Sequence, residues 1–303
     1  MDPFYCNFQR PSAEVGEPRP QFAVSDRPRY RLSRKVTTAM THLLYQVDSF
    51  TQVPFSGNPA AVCWLDQPED DHWMQQVAAE MNLSETAFVY PEQDSLRLRW
   101  FTPAVEVELC GHATLATAHM LWQTKRMPDG KPIEFESLSG TLTATPVGQA
   151  IELDFPIAPA HETVPVDGLL ESLGLGEVLF CGKNQYDWLI EIASPQAIRQ
   201  LQPNFSLLRP LDARGVMVTA QSYDTKYDFI SRFFAPAAGI DEDPVTGSAH
   251  CVLGAYWSQK LGKSKLAAYQ ASARGGELEV EIRNDRALLR GHAVTVAKLE
   301  LLV

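Results

Sequence analysis

From His42 onward, short β-branched and apolar runs alternate with turn residues, which predicts strands over 43–50, 60–65, 86–90, 96–101, 141–145 and 151–155. Helical spacing is rarer. Trp73, Met74, Val77, Ala78 and Met81 recur along one face after a group of acidic residues, predicting an amphipathic helix over 68–81. A second helix is predicted over 112–122. There Ala113, Thr114, Ala116, Thr117 and Ala118 leave almost no polar face, so this helix must be enclosed, most naturally by being threaded through a sheet.

The chain also repeats itself. Trp100-Phe101-Thr102-Pro103 precedes Cys110-Gly111-His112-Ala113-Thr114 and its small-residue helix. Phe233-Phe234-Ala235-Pro236 precedes Thr246-Gly247-Ser248-Ala249-His250, followed by Cys251-Val252-Leu253-Gly254-Ala255, at nearly the same offset. Two copies of one strand, loop and buried helix imply a pseudo-twofold pair of lobes. We expect the first lobe over 41–158 with 293–303 returning to it, and the second over 159–292. The first forty residues carry seven Lys/Arg, four Asp/Glu and five prolines without sustained periodicity, and read as a disordered leader. They lack the apolar stretch of a secretory signal.

Composition narrows the function. The 303 residues are 45% hydrophobic and 21% charged, as in ordinary globular proteins. A formal net charge of −11 repels polyanions, so nucleic acid is not an expected partner. No apolar run approaches the ~18 residues that a membrane span needs, so no membrane partner is expected either. Cys6, Cys63, Cys110, Cys181 and Cys251 are odd in number and widely spaced, which suits a reducing cytoplasm better than a disulfide framework.

The two repeated turns carry the candidate chemistry. Each glycine opens an apolar helix whose first N–H groups lack intrahelical acceptors and lie at the positive end of the helix. Facing each other, two such ends would hold a small carboxylate and stabilise negative charge developing beside it. The partner expected on this reasoning is a small anionic metabolite. No nucleotide-binding or nucleophile-elbow string occurs, and no cofactor is expected. A metal site built from Cys110, His112 and His119 is set aside, because their spacing does not bring them onto one helical face.

Four strings, Gly57-Asn58-Pro59-Ala60-Ala61-Val62, Asn82-Leu83-Ser84-Glu85-Thr86-Ala87-Phe88-Val89, Cys110-Gly111-His112-Ala113-Thr114 and Asp243-Pro244-Val245-Thr246-Gly247-Ser248-Ala249, resemble the phenazine biosynthesis PhzF family of isomerases. The resemblance runs from about residue 42 to the end. It implies an α+β fold similar to diaminopimelate epimerase: two pseudo-twofold lobes, each a mostly antiparallel barrel-like sheet around a central helix, with the site between them. It also implies a homodimer. Epimerases of that fold oppose two cysteines, whereas this chain has Cys110 at one turn and Thr246 at the other, and a threonine hydroxyl is too weak an acid to replace a thiolate.

By resemblance, the glutamate of the N-x-S-E string, Glu85, is the general base and then the general acid. A carboxyl in that role needs a desolvated cleft to hold and return a proton near neutrality. His112 would orient the substrate or relay a proton. Asp243 would accept a bond from a substrate hydroxyl or amine, or simply cap the turn at Pro244. Gly111, Thr246, Gly247 and Ser248 would surround the carboxylate. Asn58 either shapes the cleft or serves its own turn, and Arg274 is either a carboxylate clamp or a surface residue. Cys110 is either a relic of the epimerase thiol or a nucleophile activated at a helix N-terminus. The function expected is a cofactor-independent isomerase transferring a proton on a small carboxylate. The alternatives are a ligand-binding or interaction module without turnover, and a one-base epimerase using Cys110.

Overall fold

The computed structural model describes residues 42–302, so the expectation for the first forty residues lies outside the described region. Nearly every strand pairing occurs twice. In the first half, β1 (His42–Ser49) pairs antiparallel with β2 (Asn58–Trp64), which runs parallel to β3 (Glu85–Glu92). β3 pairs antiparallel with β4 (Ser95–Phe101), which takes β5 (Glu106–Val107) antiparallel and β6 (Ile133–Ser137) parallel. β7 (Gly140–Val147) and β8 (Ala150–Pro156) continue as an antiparallel meander.

The second half reproduces the series. β9 (His161–Glu162) pairs with β10 (Phe180–Lys183), then β10 with β11 (Asp187–Glu191), and β11 runs parallel to β12 (Gly215–Gln221). β13 (Phe229–Ala235) pairs antiparallel with β12 and β14 (Ile240–Asp243) and parallel with β15 (Lys265–Gln270). β16 (Gly276–Arg283) and β17 (Arg286–Gly291) complete the meander. β18 (Ala293–Leu301) returns to β1 as β9 joins β10, and β8 pairs with β17 to join the halves. The repeat seen in two short strings therefore extends to the whole order of strand pairings.

Two helices start close to their expected positions. α1 (Asp71–Met81) begins later than 68 because Asp70 caps it, accepting the His72 and Trp73 N–H groups at 2.9 and 3.3 Å. α2 (Gly111–Gln123) buries His112, Leu115 and the small residues around them against β1, β2, β3, β7, β8 and β18, which is the enclosure its composition demands. The hydroxyls of Thr114 and Thr117 donate to the carbonyls of Cys110 and Ala113, so their burial leaves no orphan polar group. Three short helices, α3 (Leu169–Ser172), α4 (Pro195–Gln200) and α5 (Phe205–Leu208), precede α6 (Gly247–Leu261), the counterpart of α2. α6 packs on β15, β16 and β17 and touches α2. Its Trp257 is fully buried, stacked on Phe229 at 5.7 Å, and donates from Nε1 to Thr219 Oγ1. Among the described residues, no helix is long and apolar enough to cross a membrane, and Cys63, Cys110, Cys181 and Cys251 are buried free thiols.

The β1–β2 connection crosses to the second half. Gly57 N donates to Gly275 O at 2.7 Å, and Glu277 N donates to Phe50 O at 2.9 Å. Gly57 has φ +66, and a Cβ there would lie 2.1 Å from Ser49 O, so backbone conformation and space both exclude a side chain. Gly111 has ordinary helical geometry, and its nearest neighbours would meet a Cβ no closer than 3.6 Å. In urea unfolding, Gly57→Ala should therefore lose about 3 kcal/mol of stability and Gly111→Ala less than about 1 kcal/mol; equal losses would contradict this account of the strap.

Candidate functional site

Each half sends one helix N-terminus to the same point. A Cβ on Gly111 would lie 3.6 Å from Gly247 Cα, and one on Gly247 would lie 3.5 Å from Gly111 Cα, so the two helix starts touch backbone to backbone. Neither is capped by a side chain. The residues in the cap positions are engaged elsewhere: Cys110 Sγ lies 3.5 Å from His112 Nδ1, and Thr246 Oγ1 donates to Asp243 Oδ2 at 2.6 Å. Their first-turn N–H groups and positive dipole ends thus converge without a side-chain anion between them.

Beside this seam lie the ionisable groups. Glu85 opens β3 and His112 is the second residue of α2; Oε2 and Nε2 are 3.2 Å apart, with side chains 14% and 5% exposed. The pair has ion-pair distance but lacks hydrogen-bond alignment, so both buried atoms remain unsatisfied and open to a third group. Asn58 connects this dyad to the other half. Its Nδ2 donates to Asp243 Oδ1 at 2.7 Å and to Val245 O at 2.9 Å. Those two bonds use both amide hydrogens, so the 3.2 Å approach of Nδ2 to His112 Nδ1 is a contact rather than a donated bond, and Nδ1 is left to Cys110 Sγ. Ser84 Oγ donates to Asn58 Oδ1 at 3.4 Å and orients the amide.

The electrostatics follow from burial and these partners. Burial, reinforced by the charge of Glu85, pushes Asp243 up to about 6 against the opposing effects of His112, Thr246 and Asn58. Burial and the Glu85 charge likewise push the Cys110 thiol up to about 11, so it is protonated at neutrality. For His112, burial favours the neutral ring, but Cys110 and Glu85 together outweigh it and hold the imidazole well above its ordinary value.

The structure brings together Glu85, His112, Asp243, Asn58, Gly111, Thr246 and Gly247. Ser248 adjoins them in the first turn of α6, where its Oγ accepts from Arg214 Nη2 at 3.2 Å. Arg274 stands apart: Nε donates to Gly57 O at 2.8 Å, and Nη2 to Asp48 Oδ1 and Ser56 O at 2.9 and 3.0 Å, holding the β1–β2 connection. Two participants had no sequence signal. Gln270 is fully buried and anchors the second turn, accepting from Thr246 N and donating to Asp243 O at 2.7 Å. Arg214, just before β12, belongs to none of the four strings.

Among the described residues, Glu85, Cys110 and His112 offer ligand atoms within 4.8 Å of one another. Cys110 Sγ is nearest the ring's Nδ1 and Glu85 Oε2 nearest its Nε2.

Comparison with known proteins gives this arrangement its kinship. The PhzC-PhzF family, described as phenazine biosynthesis-like protein, matches residues 47–298. An uncharacterized isomerase of Halalkalibacterium halodurans is 56% identical over 265 residues, covering 87% of this chain and all of that protein. The crystal structure of a PhzF-family phenazine biosynthesis protein from Enterococcus faecalis superposes with a TM-score of 0.82 at 39% identity, covering 87% of this chain and 100% of the other. A hydroxyproline epimerase from Agrobacterium vitis, crystallised with trans-4-hydroxy-L-proline, shares the fold at a TM-score of 0.59 and 12% identity, covering 86% and 92%. The α+β architecture is thus that of PhzF proteins and of epimerases of the same fold, and the chain belongs to the PhzC-PhzF family.

Proposed function

We propose that this PhzF-family isomerase moves a proton between two positions of a small carboxylate, with Glu85 as the group that takes and returns it. The observation that carries the reading is the buried, misaligned Glu85–His112 pair beside the contact of two uncapped helix N-termini. The substrate carboxylate accepts from the first-turn N–H groups of α2 and α6. A C–H bond then breaks, its proton passes to a Glu85 oxygen, and the electron pair delocalises into the adjacent unsaturation and carboxylate. Glu85 returns the proton to another carbon, so the product is an isomer and nothing is oxidised or reduced.

The neighbours divide the remaining work. His112 Nε2 lies 3.2 Å from Glu85 Oε2 and holds the carboxyl in place beside the cleft. Asp243, held by Asn58 and Thr246, accepts a hydrogen bond from a substrate hydroxyl or amine on the opposite side. Cys110 is a poor competitor for the role of base, since a thiol pushed up to about 11 is scarcely ionised at neutrality. Each step uses groups of this chain alone.

The reading is tested by NMR on a panel of small unsaturated carboxylates in deuterated buffer. The wild type should place deuterium on carbon of at least one member, and Glu85→Gln should slow this by about a thousandfold. Equal incorporation by both proteins, or binding without any exchange, would overturn the assignment. Incorporation should also rise with pH through a limb near about 6, as Asp243 ionises, and Asp243→Asn should abolish that limb. The same shift has a stability sign. With the folded value raised from 3.8 to about 6, the folded state binds this proton more tightly than the unfolded one. The contribution of Asp243 therefore falls as pH rises through that window and is level above it.

A further inference from the structure

Arg214 is held as a receptor is held. Its Nε donates to Asp187 Oδ1 at 3.0 Å and its Nη2 to Asp187 Oδ2, a two-pronged ion pair with a carboxylate that is itself only 1% exposed. Its backbone N donates to Tyr186 O at 2.7 Å, and its guanidinium carbon lies 5.7 Å from the Tyr186 ring and 5.8 Å from that of Phe233. Nη2 also reaches Ser248 Oγ in the first turn of α6. Nη1 has no partner among the described residues, although the side chain is 41% exposed and its plane is fixed by the fork. Purely structural pairing with Asp187 does not require the second contact, at the helix start, nor a free pair of N–H donors beside it.

We propose that Arg214 is the specificity residue of this cleft: the cation, set at the N-terminus of α6 by Asp187 and Ser248, that makes an ionised carboxylate a requirement for binding. The inference rests on the proton-transfer reading only in taking the ligand of the seam to be a carboxylate. One carboxylate oxygen accepts from the first-turn N–H groups. The other accepts from the arginine, by Nη1 or by displacing the Ser248 contact. Asp187 keeps the guanidinium in place between binding events, so little side-chain entropy is lost when the ligand arrives. A neutral amide of the same shape presents an NH2 group to a donor that cannot accept, and is rejected.

The test uses benzoate and benzamide, planar probes of one size that differ in charge, titrated into the full chain by calorimetry. The wild type should favour benzoate by about thirtyfold, and Arg214→Met should reduce that preference by about tenfold while leaving benzamide affinity within about twofold. Because Arg214→Met leaves the buried Asp187 without its partner, the double variant Asp187→Asn with Arg214→Met serves as the second test and should show the same loss. An unchanged preference in the folded double variant overturns the proposal, as does a wild type that binds the two probes equally or does not bind benzoate. Neither probe is turned over, so these outcomes are independent of whether Glu85→Gln abolishes deuterium incorporation.

Discussion

The contact between Gly111 and Gly247 is the constraint on which the site depends. Two helix N-termini with like partial charges meet backbone to backbone, an arrangement that is electrostatically unfavourable unless negative charge lies close by. In the folded chain the carboxyl groups beside the seam are Glu85 and Asp243, the latter pushed up to about 6 by burial. A bound carboxylate adds negative charge. Side chains at the helix starts would remove the need for an anion by capping, which is why it matters that Thr246 turns to Asp243 and Cys110 to His112.

The fold delivers this contact by duplication. Each half repeats one order of strand pairings, and each encloses within that order a buried helix whose N-terminus meets the other's. The pairing of β8 with β17 closes the two series against each other, supported by Arg286 on Asp154 and Arg290 on Glu152. The strap from 50 to 57, gripped by Arg274, fixes where β2 begins and hence where Asn58 stands. Asn58 then ties the start of β2 to Asp243 and Val245 of the other half through a single amide. Duplication makes the scaffold symmetric; Asn58, Glu85 and Thr246 make the chemistry asymmetric.

That asymmetry extends to the two turns. Only the first turn carries a thiol, Cys110, and burial raises it out of the range in which it would ionise at neutrality. In the reaction we propose, the proton is accordingly carried by the Glu85 carboxyl and not by a thiol.

Periodicity and composition determined much of this from the chain alone. The small-residue run after Gly111 required an enclosed helix, the duplicated strings required two related halves, and the glycine turns marked where N–H groups would be left open, because each of these depends on residues close in sequence. Other features depended on residues far apart. Nothing local tells that Arg274 serves the strap while Arg214 reaches the helix start, that Gln270 anchors the second turn, or that Cys110 and Glu85 flank one imidazole. Those partnerships are decided by which strands pair and how the two halves close, since a long polar side chain takes its role from whatever tertiary packing sets within its reach.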